Sequence, residues 1–181
     1  DIKDKIEIIK KSKIFLTQLE IPKEVTLNCL KIAKENNVLT ILNPAPASSL
    51  SKDFFNYIDY FTPNETEAEF YTGIKITNQN KAKLASEKLL NLGIKKVIIT
   101  LGEKGVFYSD GKEDIFLEAT SVKAIDTTGA GDAFNGGLAF AVSKNKPIKE
   151  CLELANRVAG LSTTKLGAGN SMPTLSNLDP I

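Results

Sequence analysis

Apolar residues along this chain alternate between helical spacing and short unbroken runs. Ile2, Ile6 and Ile9 recur at helical intervals over Asp1–Lys10, and Ile14-Phe15-Leu16 is an apolar run closing at Thr17-Gln18-Leu19-Glu20. That pattern predicts a helix and then a strand. Pro22 opens a second helix with Val25, Cys29, Ile32 and Ala33 on one face, since proline suits a first helical turn. Val38–Leu42 reads as the next strand, stopped by Asn43-Pro44-Ala45-Pro46. Tyr57–Phe61 reads as a third strand, and Thr62-Pro63-Asn64 starts a helix carrying Glu65, Glu67 and Glu69. A long helix around Lys81–Leu92 ends at Gly93, ahead of the strand Val97–Leu101. Gly105–Tyr108 and Ile115–Leu117, separated by Asp110-Gly111, read as a hairpin on the sheet edge. Two helices follow, Gly131–Ser143 and Ile148–Thr164, and Gly167-Ala168-Gly169-Asn170-Ser171 reads as a loop.

Strands alternating with helices at these intervals predict an α/β fold: a doubly wound, mostly parallel sheet flanked by helices, with an edge β-hairpin, in one domain. In such sheets ligands sit beyond the carboxyl ends of the strands. Glu20 follows the first strand, Asn43 the second, Asn64 and Glu67 the third, and Thr100-Leu101-Gly102 the fourth; Asp126 and Asp132 come after them. One polar loop residue would mean little, because loops are generally polar. Together these six places define a candidate site.

The most informative stretch is Asp126–Gly137, Asp-Thr-Thr-Gly-Ala-Gly-Asp-Ala-Phe-Asn-Gly-Gly. It delivers a glycine turn into a helix and leaves the N–H groups around Gly129, Ala130 and Gly131 uncovered. Those donors and the positive helix end make an anion site. Asp132, in the first turn, reads equally as a capping acid. A phosphate-binding P-loop is excluded because no Lys-Ser/Thr pair follows Gly131 or Gly136, and a dinucleotide fingerprint because Phe134 stands where a third glycine is required.

Composition narrows the chemistry. A chain of 181 residues, 42% hydrophobic and 25% charged, fits an ordinary globular domain with its own core. A net charge of +1 gives no electrostatic case for nucleic acid or an anionic membrane. Lys10-Lys11-Ser12-Lys13 reads as a solvated helix end, no apolar run reaches membrane-spanning length, and the start is too charged for a signal peptide. Cys29 and Cys151 fall among helical apolar residues and are expected to be buried free thiols, which suits a reducing cytoplasm. Histidine is absent. That removes the commonest general base and zinc ligand, so acid–base chemistry must run on carboxylates, lysine, tyrosine or cysteine. The chain opens without methionine on a segment that already reads as helical, and a fragment lacking its N-terminal part is the expectation.

The Asp126–Gly137 run resembles the C-terminal signature of the ribokinase family, the phosphofructokinase-B type sugar kinases, and the likeness covers nearly the whole chain. It implies that Asp132 is the catalytic base, in contact with substrate, and that Gly129, Ala130, Gly131 and Asp132 form the anion hole for the phosphoryl group. Gln18-Leu19-Glu20 resembles the segment whose glutamate binds ribose hydroxyls; otherwise Glu20 is an exposed loop acid. Thr62-Pro63-Asn64-Glu65-Thr66-Glu67 resembles the family's Asn-x-x-Glu motif. The likeness implies that Asn64 and Glu67 organise phosphate oxygens and Mg²⁺, partly through water, while the residues alone also read as a helix cap.

Thr100, Leu101, Gly102, Glu103, Lys104 and Gly105 resemble the nucleotide loop, though a strand-to-strand turn uses the same glycines. Asn156 matches a position beside the adenine, or is a solvated helix residue. Asp126, Thr128, Ser162, Lys165, Gly167 and Ser171 match a monovalent-cation site, implying K⁺; Asp126 could instead cap the turn before Gly129. The implied reaction is transfer of the ATP γ-phosphoryl to the 5-hydroxyl of D-ribose. Fructokinase or adenosine kinase activity, and a truncated, catalytically silent nucleotide-binding module, remain the alternatives. In this family dimers form through lid strands, so the homodimer contact of a full-length protein is expected in a part this chain lacks.

Overall fold

The computed structural model describes residues 2–178, so Asp1 of the first expected helix lies outside the described residues. The described contacts gather into two units. One is made by the chain up to Leu101 with Phe107–Phe116; the other comprises Gly102–Val106 and the chain from Leu117 onward.

Six strands, β1 (Ile14–Thr17), β2 (Leu39–Leu42), β3 (Tyr60–Phe61), β4 (Lys96–Thr100), β5 (Val106–Ser109) and β6 (Asp114–Leu117), form one sheet among the described residues. They lie in chain order. The first four run parallel, with Ile14 opposite Leu39, Ile41 opposite Tyr60, and Tyr60 opposite Lys96. β5 and β6 are sheet neighbours joined by residues 110–113 alone, a span that only antiparallel strands can use. Asp110 makes that turn, its Oδ1 accepting the N–H groups of Lys112 and Glu113 at 2.9 Å each. The α/β reading with a mostly parallel sheet and an edge hairpin is therefore what the chain forms.

The first unit carries α1 (Ile6–Lys11), α2 (Lys23–Glu35), α3 (Lys52–Phe55), α4 (Glu65–Thr72) and α5 (Gln79–Leu90). A 3₁₀ turn at Lys3–Lys5 replaces the first turn of the expected opening helix. Pro22 stands just before α2 and its carbonyl accepts from Val25 and Thr26 N–H. Gly73, at φ +69°, ends α4 by donating its N–H to Glu69 O. Leu30, Leu42, Phe61, Ala85, Leu89, Val97 and Ile99 are fully buried in one cluster. Val97 and Ile99 sit two apart, as one face of a strand requires.

In the second unit α6 (Ala130–Ser143) and α7 (Ile148–Ser162) are joined by residues 144–147. They pack closely at Gly137, where an added Cβ would stand 3.1 Å from Ala155 Cα. The tail expected as a loop contains a 3₁₀ turn at Gly169–Ser171. Cys29 and Cys151 are buried and free. Among the described residues no helix is long and apolar enough to cross a membrane.

The third strand is shorter than the Tyr57–Phe61 run predicts. Tyr57 and Ile58 spend their N–H groups on Phe54 O and Phe55 O, closing α3, a one-turn helix the periodicity does not show. Asp59 is a buried anchor against β2, its N–H donating to Thr40 O at 3.2 Å. It meets Lys34 Nζ at 2.6 Å and Lys95 Nζ at 3.2 Å, and accepts Thr40 N–H at 3.1 Å. Burial alone would raise its pKa, but the Lys34 ammonium, the Thr40 N–H and Lys95 together hold the carboxyl below the usual range.

A carboxylate with a depressed folded-state pKa contributes stability that is complete above its unfolded value, about 4, and lost as pH falls through the lower folded value. Asp59→Asn should therefore cost up to about 3 kcal/mol near neutral pH, the scale of a broken buried pair. It should also flatten the acid limb of stability against pH. Urea unfolding across pH 2–7 checks this; equal stability, or an unchanged acid limb, would refute the assignment.

Candidate active site

Each unit holds part of the predicted set. In the second unit the Asp126 carboxylate closes its own turn, Oδ1 accepting Thr128 N–H at 2.9 Å. Its Oδ2 accepts the Gly167 N–H at 2.9 Å, 41 residues further on. The Thr128 N–H and hydroxyl, then the Gly167 N–H, hold this carboxyl below its ordinary range. Ile125 and Asp126 N–H both donate to Thr163 O, at 2.8 and 3.1 Å. Asp126 therefore caps the turn, as one reading had it, and backbone N–H groups on both of its oxygens hold it toward the charged form. A fixed negative charge of this kind would suit a hard monovalent cation. Ser162 and Ser171 are buried, with hydroxyls donating to Ala159 O and Ala168 O at 2.7 Å each, so only their oxygens are left to offer. Thr128, Lys165 and Gly167 are exposed.

Gly129 is the N-cap of α6 at φ +78°, where a Cβ would also press on Ala168 Cβ at 3.1 Å and Met172 Cε at 3.2 Å. The chain can enter this helix at that angle only with glycine. Ala130 N–H donates to Thr127 O at 3.1 Å, so this one of the expected anion donors serves the turn. Gly131 is different: a Cβ there would meet nothing within 4 Å. Its N–H lies in the first helical turn, which has no partner within the helix. Asp132 follows, exposed, on the wall of a cleft of about 280 Å³ that Ala133, Gly136, Phe140, Met172 and Leu175 also line.

The glycine loop separates into two roles. Gly105 is at φ +112°, and a Cβ would collide with Leu117 O at 1.9 Å, so this glycine serves the fold. Gly102, at φ +57°, has nothing within 4 Å of a Cβ, and with exposed Glu103 and Lys104 it forms a 3₁₀ turn closed by Gly105 N–H to Gly102 O at 3.1 Å. Asn156 is not simply solvated. Its Nδ2 donates to Glu118 O at 2.5 Å, tying α7 to the stretch after β6 and leaving Oδ1 as its remaining polar atom.

In the first unit Glu20 is exposed just past β1, and Leu19 N–H beside it donates to Ala45 O at 2.9 Å. Thr100 pairs with Asn64 as an isolated parallel bridge, its N–H donating to Pro63 O at 3.0 Å, and Leu101 is buried. Asn64, not Thr62, caps α4. Asn64 Oδ1 accepts Glu67 N–H at 2.8 Å, and Glu67 Oε2 accepts Asn64 N–H at 2.8 Å. Asn64 Nδ2 also donates to Glu67 Oε1 at 3.0 Å.

Glu67 is nonetheless 7% exposed. Burial pushes its carboxyl up, and the Asn64 N–H offsets that only in part. A buried carboxylate held by neutral donors is a place where a cation would be welcome. Among the described residues no group of three or more His, Cys, Asp or Glu could cage a metal. One carboxylate fits Mg²⁺ held mostly by phosphates and water.

The sequence reading missed Tyr71, one helical turn beyond Glu67, and the cleft residues Met172 and Leu175. An i, i+4 relation on α4 was the available signal for Tyr71.

A family model described as "pfkB family carbohydrate kinase" matches residues 2–175. Ribokinase of Haemophilus influenzae is 43% identical over 92% of this chain and 54% of its own length. Deoxyribokinase of Salmonella typhi is 31% identical over 99% of this chain and 59% of its own. Arabidopsis thaliana ribokinase, solved with ribose and ATP, superposes with a TM-score of 0.92 at 32% identity, over 96% of this chain and 57% of that one. The chain thus spans about half the length of the curated relatives it matches, 54% to 55% for the ribokinases of H. influenzae and Staphylococcus aureus. By that match and those identities, the chain belongs to the pfkB family of carbohydrate kinases.

Proposed function

We propose that this chain carries the phosphoryl-transfer machinery of an ATP-dependent ribose kinase acting at the sugar's 5-hydroxyl. The observation that carries the reading is the entry to α6. A left-handed Gly129 turns the chain into the helix, Gly131 leaves its approach open, and Asp132 stands exposed one residue later. Asp132 takes the proton of the attacking hydroxyl as that oxygen bonds to the γ-phosphorus. The bond from the γ-phosphorus to the β–γ bridging oxygen breaks, and ADP leaves with the electron pair. Such transfer needs mostly positioning and charge stabilisation. The first-turn N–H groups near Gly131 face the charge on the transferring group.

Glu20 accepts sugar hydroxyls. Gly102–Lys104 and the Asn156 amide oxygen serve the nucleotide, and Asn64 with Glu67 serves its phosphates. Glu67 would hold Mg²⁺, which would neutralise phosphate charge, and Asp126 would hold K⁺ beside the turn that precedes Gly129. The buried free thiols suit a cytoplasmic protein.

The test is ATP consumption with ribose, deoxyribose, fructose, adenosine or no sugar, with Mg²⁺ and K⁺ present, by this chain and by the complete product of its gene. Turnover with ribose far above the rest supports the reading. A preference for deoxyribose would favour the function named for the Salmonella relative, and silence in both proteins would favour a nucleotide-binding module.

Two variants probe the assignments. Asp132→Asn should fold normally and lower turnover at least about a hundredfold, the scale of a lost general base; near-wild-type ADP release would sink the role. Glu67→Gln keeps a residue able to complete the cap and should weaken the Mg²⁺ requirement's half-saturation about tenfold or more. Its stability should move the other way. Because the folded-state pKa of Glu67 is raised, ionisation weakens the fold as pH rises from the unfolded value, about 4, through the folded one. Above that window the metal-free Gln variant should melt no lower than wild type. A clear drop in its melting temperature would show that the charge serves the fold instead.

A further inference from the structure

After β2 the chain runs from Asn43 to Leu50 without regular structure. Segments of this kind are ordinarily mobile, yet three of its carbonyls are each taken by a different part of the chain. Ala45 O accepts Leu19 N–H at 2.9 Å, next to Glu20. Ser49 O accepts Lys23 Nζ at 2.9 Å, from the first turn of α2. Ser48 O accepts the Tyr71 hydroxyl at 2.8 Å, across 23 residues. Tyr71 lies on α4, one turn beyond Glu67.

The Tyr71 ring has little freedom. It meets Phe61 edge-on at 5.4 Å between centroids, Phe55 at 6.4 Å and Phe70 at 5.1 Å. Phe61 is fully buried in β3. A ring wedged this way places its hydroxyl at one spot. Burial, with the negative charge of Glu67 adding to it, pushes the phenol up to about 12. The hydroxyl therefore stays a neutral donor throughout the physiological range.

We propose that Tyr71 is a positioning residue for the sugar side of the site: its hydroxyl pins the Asn43–Leu50 loop at Ser48, and through that loop fixes the Glu20 segment relative to the phosphate-binding end of α4. Tyr71 itself touches no reactant in this scheme. It acts through the loop, and the inference rests on the sugar-kinase reading above. A half-buried tyrosine hydroxyl gains from a partner, so a merely structural role predicts lower stability and no selective kinetic effect.

The experiment uses the complete gene product. Tyr71→Phe removes one oxygen and keeps the ring packing. The sugar KM should rise about fivefold, the worth of one net hydrogen bond, while kcat and the ATP KM stay within about twofold. Amide exchange should quicken in residues 43–50 and not in α5. Lys23→Met removes the neighbouring strap, and the two changes together should raise the sugar KM by a factor that differs from the product of the single effects, as straps on one loop must.

An active wild type whose Tyr71→Phe variant keeps its sugar KM overturns the positioning role alone. Equal changes in kcat and in both KM values overturn it too, as would unchanged exchange in the loop. A wild type that phosphorylates no sugar overturns the kinase reading and the sugar-positioning role with it.

Discussion

Parallel pairing of β1 to β4 is the constraint on which the first unit depends. Strands that all point one way leave the sheet at the same edge, so the residues just past one strand stand beside those just past its neighbour. The zipper continues past the ladder: Leu19 N–H reaches Ala45 O, Thr62 N–H reaches Leu42 O, and Thr100 N–H reaches Pro63 O, at 2.9, 3.0 and 3.0 Å. Glu20, Asn43, Asn64 and Thr100 are lined up by backbone hydrogen bonds before any side chain has contributed. Such pairing also forbids tight hairpins between consecutive strands, which is why helices must intervene and why α4 begins right at this edge.

Two buried carboxylates mark opposite ends of β3 and have opposite electrostatics. Asp59 enters the strand with two ammonium groups and a backbone N–H, and its charge is stabilised in place. Glu67, beyond the strand's other end, has the Asn64 backbone and amide as its donors among the described residues, and burial disfavours its charge. Both cost free energy to desolvate. Only Asp59 is compensated within the first unit's own ion pairs. A buried acid left short of positive charge, just past the ends of parallel strands, is the feature on which the proposed Mg²⁺ role of Glu67 rests.

Much of this was legible in the chain because periodicity reports local geometry. The strand–helix alternation, the Asp110-Gly111 hairpin and the Asn64 cap each depend on residues a few positions apart, and all of them formed. What escaped depends on distance or on competition. The Tyr57–Phe61 run has strand composition, yet α3 claims the N–H groups of Tyr57 and Ile58, leaving Tyr60–Phe61 as the strand. A one-turn helix is too short to set up a period. The hydroxyl of Tyr71 finds Ser48 O across 23 residues, and Asn156 finds Glu118 O across 38; no local pattern encodes either. Asn64 and Asp126 carried two readings in the sequence, and the geometry makes each the cap that one reading required.

The glycines of the second unit sharpen what a motif means. Gly129 has a reason inside the protein: a left-handed backbone pressed against Ala168 and Met172. Gly105 has one too, because the Leu117 carbonyl crosses where its side chain would be. Gly131 and Gly136 have neither; both lie within α6 and an added Cβ would meet nothing within 4 Å. Each costs a helix about 1 kcal/mol relative to alanine. The fold carries that cost twice within two turns with no contact that a side chain there would break, and in the proposed reading the open space serves the reactants. One of these glycines lines the cleft beside Asp132; the other offers its N–H in the first turn, where an anion would lie.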